Sequence, residues 1–386
     1  MTMGTAPKSS ARDRTRSDLY QLISSQVETT RSDLVEATGL SRSTVNQAVA
    51  RLIADGVVEE TELKVKGRGS GSGRRPTKLR VVTTDEHVVG IDFGHFHVRV
   101  AVADVLGRQI GAESVELDVD LQAHEAMDVA ATMLARLREE HAVTNIATVV
   151  AGVPGPLDSQ TGLVHSPTIL SSWVGLAPAA ELARRIGVPV HVENDAVLGA
   201  YGELVRGAGR FYDHFLYVKA SDGIGAGLVI NRVPYRGGTG LAGEIGHTRL
   251  PGRTEMCRCG NSGCLEAAIS VKAIRDRIIH THPTLANTKV TLTSVDDAIV
   301  DRILEEAGRA LGGVLADLCN LLNPLAVIVG GEIGAAGPAL IQGVRSSIDR
   351  QAQPATAAVV EVLPAALGID AELTGAVHFA ASMARR

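Results

Sequence analysis

The chain has 386 residues, 45% hydrophobic and 21% charged: more than one ordinary core needs, and the balance of a globular protein rather than a disordered or fibrous one. It holds no apolar run of about 18 residues, and residues 1–16 are polar and basic, so neither a membrane span nor a secretory signal is expected and the location should be cytoplasmic. The net charge of −5 hides an asymmetry: residues 1–80 carry 14 Lys and Arg against 9 Asp and Glu, the remainder 24 against 34, so a basic module suited to nucleic acid precedes an acidic one.

Residues 1–13 show no periodicity and read as a disordered tail. From Arg14 to about Gln26, Leu19, Leu22, Ile23 and Val27 recur at helical spacing. Thr30-Arg31-Ser32-Asp33 then reads as a capped start for a short helix that runs to Thr38, stops at Gly39 and tucks Leu40 inward. Ser41 caps a longer helix that should bury Val45, Val49, Leu52 and Ile53 and end at Asp55-Gly56. Helix, short helix, glycine turn, longer helix is the helix-turn-helix order. The outer face of the second helix carries Arg42, Ser43, Thr44, Asn46, Gln47 and Arg51, side chains that can bond base edges in a major groove. Val57–Glu60 begins a strand. Residues 64–80 hold seven Lys or Arg and no acid around a Gly/Ser tip. That composition suits a wing, with Arg74 and Arg75 on the phosphate backbone; a flexible basic linker is the alternative. A winged helix-turn-helix is therefore expected over residues 14–82.

Beyond it the pattern turns to α/β. Strands are expected at Val88–Asp92 and Val98–Asp104, with a third after the turn at Gly107. The order repeats later: a strand at His214–Lys219, a glycine loop Ser221-Asp-Gly-Ile-Gly-Ala-Gly227, a strand to Ile230 and a turn at Asn231-Arg232. This reads as a duplicated supersecondary unit, two lobes with a ligand cleft between them. Helices are expected at about His124–Glu140, Leu176–Ile186, Asp296–Leu322 and Gly337–Ile348. Gly330-Gly331 makes a turn after the strand Leu325–Val329, where backbone can approach an anion.

Three of the four cysteines, Cys257, Cys259 and Cys264, crowd behind His247. One imidazole and three thiolates make a tetrahedral Cys3His set, expected to hold a structural Zn2+ because no position is left for a reactive water. Cys319 lies among leucines and reads as a small core residue. Asn194-Asp195 ends a β-branched run, where a carboxylate can act as a general base or where the pair simply caps the next helix. Glu244, His247 and Glu266 converge if a metal ties the loop 247–266 together, which suits hydroxyl recognition; a surface ion cluster is the other reading.

These residues carry a family resemblance. Residues 87–386 resemble the ROK family (repressors, open reading frames, kinases), and the segment in front is similar to its repressor branch. The matching stretches are GLSRSTVNQAVARLIADG, GRRP, VGIDFG, AGVPGPLD, VPVHVENDA, GIGAG, GEIGH, CRCGNSGCLE and VIVGGEIG. The resemblance implies a duplicated ribonuclease-H-like (actin-like) sugar-kinase fold over 83–386. It puts Asp195 at the kinases' catalytic-base position, and Asn194, Asp195, Glu244, His247 and Glu266 around a sugar. In the nucleotide half the chain departs from the pattern. Asp92-Phe-Gly94-His-Phe-His97 replaces Asp-x-Gly-Gly-Thr-Lys, and Ser221-Asp222-Gly223 replaces Gly-Thr-Gly, placing an acid where phosphate oxygens would be. Asp92, Gly94, Gly223, Gly225, Gly330 and Gly331 thus read as vestiges of a nucleotide site, which weighs against ATP and Mg2+. The expectation is a sugar-responsive repressor, a homodimer or homotetramer on double-stranded DNA with a sugar or sugar-phosphate effector. An ATP-dependent sugar kinase or repressor–kinase is the alternative that a retained Asp195 keeps open.

Overall fold

The computed structural model describes residues 15, 19–20, 22–24, 29–61, 77–82, 85–158, 161–164, 168, 170–286, 291–292 and 297–385. The predicted tail 1–13 and the wing tip 64–76, with Arg74 and Arg75, lie outside them, as does much of the first predicted helix. Contacts divide the chain into two compact units, Met1–Asp85 and Glu86–Arg386.

In the first unit the local sequence dictates the turns. Strand β1 (Thr29–Thr30) runs into a helix, Arg31–Thr38. Asp33 N–H donates to Thr30 Oγ1 at 3.3 Å and Thr30 N–H to Asp33 Oδ2 at 2.8 Å, a reciprocal cap that satisfies two otherwise orphaned donors. Gly39 leaves the helix at φ 65, a left-handed conformation that glycine adopts at little cost. Ser41 then caps Arg42–Ala54 by accepting from Thr44 N–H at 3.2 Å. Val45, Ala48, Val49 and Leu52 face a small core with Leu19, Ile23 and Leu34. Ile53, expected inside, is only half-buried, while Ala48, not among the expected core residues, is buried. Strands β2 (Val58–Thr61) and β3 (Lys78–Val81) close an antiparallel sheet in the order β1-β3-β2, the base of a wing.

The second unit contains two five-stranded sheets. In the first lobe β4 (Glu86–Phe93), β5 (His97–Asp104) and β6 (Gln109–Glu116) form an antiparallel meander, and β7 (Asn145–Val153) and β8 (Val190–Asn194) add in parallel, giving β6-β5-β4-β7-β8. In the second lobe β9 (Phe215–Ala220), β10 (Ile224–Ile230), β11 (Val233–Tyr235), β12 (Ala326–Gly330) and β13 (Glu361–Pro364) repeat that arrangement as β11-β10-β9-β12-β13. The predicted duplication is thus present strand for strand. Helices supply the parallel crossovers, as such connections require. Ala123–Glu140, between β6 and β7, buries Ala123, Ala126, Met127, Ala130, Met133, Leu134 and Leu137 along one stripe.

Two helices exchange between the lobes. Asp195–Arg206 follows the first sheet but packs on β9 and β10 of the second; Ala371–Ala384 follows the second sheet but packs on β4 and β7 of the first. They cross through glycine: a Cβ on Gly375 would fall 1.8 Å from Leu198 O, and one on Gly202 2.3 Å from Ala371 O. Only bare backbone permits that approach.

The glycine run 223–227 corrects an expectation. The turn is only Ser221-Asp222-Gly223, and β10 begins at Ile224, so Gly225 and Gly227 lie within the strand. Their lack of a side chain serves packing: a Cβ on Gly227 would sit 2.4 Å from Ala196 O.

Candidate ligand cleft and metal site

Strand β8 ends in Asn194, and Asp195 opens the following helix. The capping reading of this pair holds for Asn194. Asn194 Oδ1 accepts from Val197 N–H at 3.2 Å as the N-cap, while its Nδ2 donates to Gly155 O at 3.3 Å. Asp195 is buried, takes Ala196 N–H on Oδ1 at 2.6 Å and points Oδ2 at the ammonium of Lys219. Lys219 comes from β9, whose six residues are all buried. Burial opposes its charge, but the carboxylates of Asp195, Glu372 and Asp92 outweigh burial and hold it protonated above the ordinary lysine range.

A cleft is lined by Asn194, Asp195, Glu244, His247 and Glu266, the five residues the sequence assigned to a sugar, together with Gly223 and Gly225. Lys219 and His95 line it too. Burial, then the charges of Asp195 and Glu266, pushes the Glu244 carboxyl up to about 7. Glu266 accepts from Ile224 N–H on Oε2 at 3.1 Å, which fastens it to the start of β10. Asp92, Gly94, Gly330 and Gly331 do not line the cleft. Asp92 is buried against Arg99, which donates from Nη2 at 2.6 Å and Nε at 2.9 Å, with His97 Nε2 at 2.9 Å from the same oxygen. Burial alone would raise its pKa, but Arg99 and His97 carry it well below the usual carboxylate range. Gly330-Gly331 approaches the 221–223 turn instead, Glu332 N–H donating to Ser221 Oγ at 3.1 Å.

The metal set assembles as the spacing implied. The donor atoms of His247, Cys257, Cys259 and Cys264 lie within 4.8 Å of one another. Cys257 Sγ is 3.7 Å from His247 Nδ1 and Cys259 Sγ is 3.7 Å from Cys264 Sγ. A tetrahedron with metal–sulfur bonds of about 2.3 Å has edges of about 3.8 Å. Burial pushes the Cys257 thiol up to about 12, a cost that a bound cation would offset. With Nδ1 among the donors, Nε2 of His247 is left facing Glu244 Oε2 at 3.8 Å. Cys319 is fully buried in the second-lobe core.

Four cleft-related residues escaped the sequence reading. His95 Nδ1 donates to Asp120 Oδ1 at 2.7 Å, and Arg258, between two cysteine ligands, donates to Asp120 Oδ2 at 2.7 Å. Burial works against charge on Asp120, but these two hydrogen bonds prevail and lower its pKa. They are 25 and 138 residues distant, beyond any local pattern. Lys219 did leave a signal, a lysine at the end of an otherwise apolar strand.

On the recognition helix, Arg42, Ser43, Thr44, Asn46, Gln47 and Arg51 are all exposed. The Ser43 and Thr44 hydroxyls are each 2.8 Å from Ser41 Oγ, so they take part in the cap.

A winged helix-turn-helix ahead of a duplicated, sugar-kinase-like unit with a polar cleft is the build of a ligand-responsive transcription regulator. Residues 88–383 match the ROK family and residues 12–59 a winged helix-turn-helix DNA-binding family, and the chain belongs to the ROK family. It is 31% identical to the xylose repressor of Bacillus subtilis over 89% of each chain. It is 28% identical to the DNA-binding transcriptional dual regulator NagC of Escherichia coli, over 86% of this chain and 84% of that one. Its structure is similar to that of a ROK family transcriptional regulator homologous to the Escherichia coli MLC protein (TM-score 0.72, 21% identity, 97% of both chains). It is also similar to that of a ROK family glucokinase from Streptomyces griseus in complex with glucose and AMPPNP (TM-score 0.66, 28% identity, 77% of this chain and 99% of that one).

Proposed function

We propose that this chain represses sugar-utilisation genes and that a sugar bound in the cleft sets its affinity for the operator. The observation that carries the reading is the convergence of Asn194, Asp195, Glu244, His247 and Glu266 in one cleft, in a chain whose recognition helix offers an exposed polar face. Carboxylates and an imidazole there accept and donate to vicinal hydroxyls. Arg42, Asn46, Gln47 and Arg51 read bases, with Ser43 and Thr44 beside the cap, and Arg74 and Arg75 of the wing bind phosphates. A Zn2+ held by His247, Cys257, Cys259 and Cys264 supplies a cross-link that fixes the loop carrying Glu266. Assembly as a homodimer or homotetramer in the cytoplasm suits an operator of paired half-sites. The ligand must bind one lobe arrangement better than the other, since equal affinity shifts nothing.

Kinase chemistry is disfavoured in this reading. The Asp195 carboxylate oxygen that would face a hydroxyl is already engaged by Lys219, and Asp92 is taken up by Arg99. ATP and Mg2+ are not expected to act. The test is a mobility-shift assay of the full chain on the DNA upstream of its own gene at low salt, with xylose, glucose and N-acetylglucosamine added in turn. Binding that a sugar changes supports the reading. No binding, or binding that no sugar alters, refutes it.

A further inference from the structure

The duplicated units place equivalent hairpin turns at the cleft, residues 94–96 between β4 and β5 and residues 221–223 between β9 and β10. His95 is where the turns meet. Its side chain is 7% exposed, and a Cβ on Gly223 would fall 2.6 Å from its Nε2, so the imidazole lies against bare backbone of the opposite turn. The other side of the ring is latched through Asp120, which follows β6 in the first lobe, and Arg258, in the metal loop of the second. Both lobes therefore grip the ring. Lys219 is the one Lys or Arg among the described lining residues, and it is committed to Asp195, while Glu244 and Glu266 add further carboxyl groups.

We propose that His95 is a plug which restricts the cleft to uncharged monosaccharides and shuts out sugars phosphorylated on the hydroxyl nearest Asp195, along with nucleotide phosphates. The inference rests on the sugar-sensing reading above. A free hydroxyl at that place donates a hydrogen bond to the Asp195 carboxylate. Esterifying it adds a phosphoryl group of charge about −1.5 to −2 where His95 and Gly223 close the space and acids already stand. Lys219 cannot neutralise it without leaving the buried Asp195 unpaired. Selectivity then comes from a steric and a like-charge penalty against the ester.

The test is calorimetric titration of the full, zinc-loaded chain with xylose, glucose, mannose, galactose and N-acetylglucosamine, with the 1-, 3- and 6-phosphates of the hexoses, and with AMPPNP. A free sugar should bind, at least one of its phosphate esters roughly 100-fold or more weaker, and AMPPNP not measurably. His95→Gly should narrow the sugar-to-ester ratio by roughly tenfold or more. Should that variant not fold, Arg258→Met frees Asp120 without altering the cleft lining and should narrow the same ratio by less. Esters that all bind the wild type as tightly as the free sugar overturn the proposal but leave sensing intact, as does a ratio unchanged in the folded variants. Binding of neither sugar nor ester overturns the sensing reading as well.

Discussion

Replacing Lys219 with methionine keeps an unbranched side chain and removes the charge. Lys219 and Asp195 have side chains only 11% and 8% exposed, so the change leaves a buried carboxylate without its counter-ion. Breaking a buried pair from one side costs about 3–5 kcal/mol. Asp195→Asn should cost less, about 1–2 kcal/mol, because Asp92 and Glu372 still oppose the ammonium. The double variant buries neither charge and should be no less stable than Lys219→Met, which puts the coupling at about 1–2 kcal/mol or more. Trp173 is the only tryptophan of the chain, fully buried in the first-lobe core, with its indole N–H on Val119 O at 2.7 Å. Its fluorescence in a urea titration follows the second unit alone, which avoids mixing two unfolding transitions. Single losses that add to the double within about 0.5 kcal/mol would show that the pair is not an energetic unit and would remove the argument that Lys219 holds Asp195.

Further outcomes concern the other sites. Arg42→Ala should weaken operator binding by about 1–3 kcal/mol and relax one base position, whereas neutralising Arg74 and Arg75 should weaken all sequences alike and reduce the salt slope by about 2; salt-dependent mobility shifts separate the two. Cys264→Ser should lose zinc, read by metal analysis, and lose sugar affinity with it, because Glu266 stands two residues away in the chain; retention of one tightly held ion per chain would contradict the four-ligand site. His378 accepts from Arg206 Nε at 3.0 Å, and burial, then the charges of Arg206 and Arg385, lowers its pKa from 6.5 to about 4. The folded state thus keeps it neutral: its contribution is complete above pH 6.5 and is lost as pH falls toward 4, by up to about 3 kcal/mol. Urea midpoints over that window should fall less in His378→Gln; equal slopes would show that this histidine does not govern the loss.

What was legible in the sequence is what local chemistry fixes. Thr30 with Asp33, Gly39 and Ser41 are caps whose partners lie within one helical turn, so the helix-turn-helix could be read residue by residue. The cysteine spacing was equally local. The cleft residues converged because the family motifs carry them. The Ser221–Gly227 run misled because glycine serves two ends: at Gly223 it makes a turn, and at Gly227 it admits the neighbouring helix. The Lys219–Asp195 pair and the His95–Asp120–Arg258 chain depend on how two lobes meet, which no window along the chain contains.

The exchange of helices has a bearing on synthesis. The strand β4 is covered on one face by the helix Ala371–Ala384, and a Cβ on Gly90 would fall 2.7 Å from Val377 in that helix. The first lobe is made before this helix and must wait, with part of its sheet bare, until residues 371–384 have been made. Contacts of such sequence separation fold slowly and leave apolar surface exposed meanwhile. Neither lobe is then an independent folding unit, and clipping the C-terminal helix should unravel the half of the molecule that was made first.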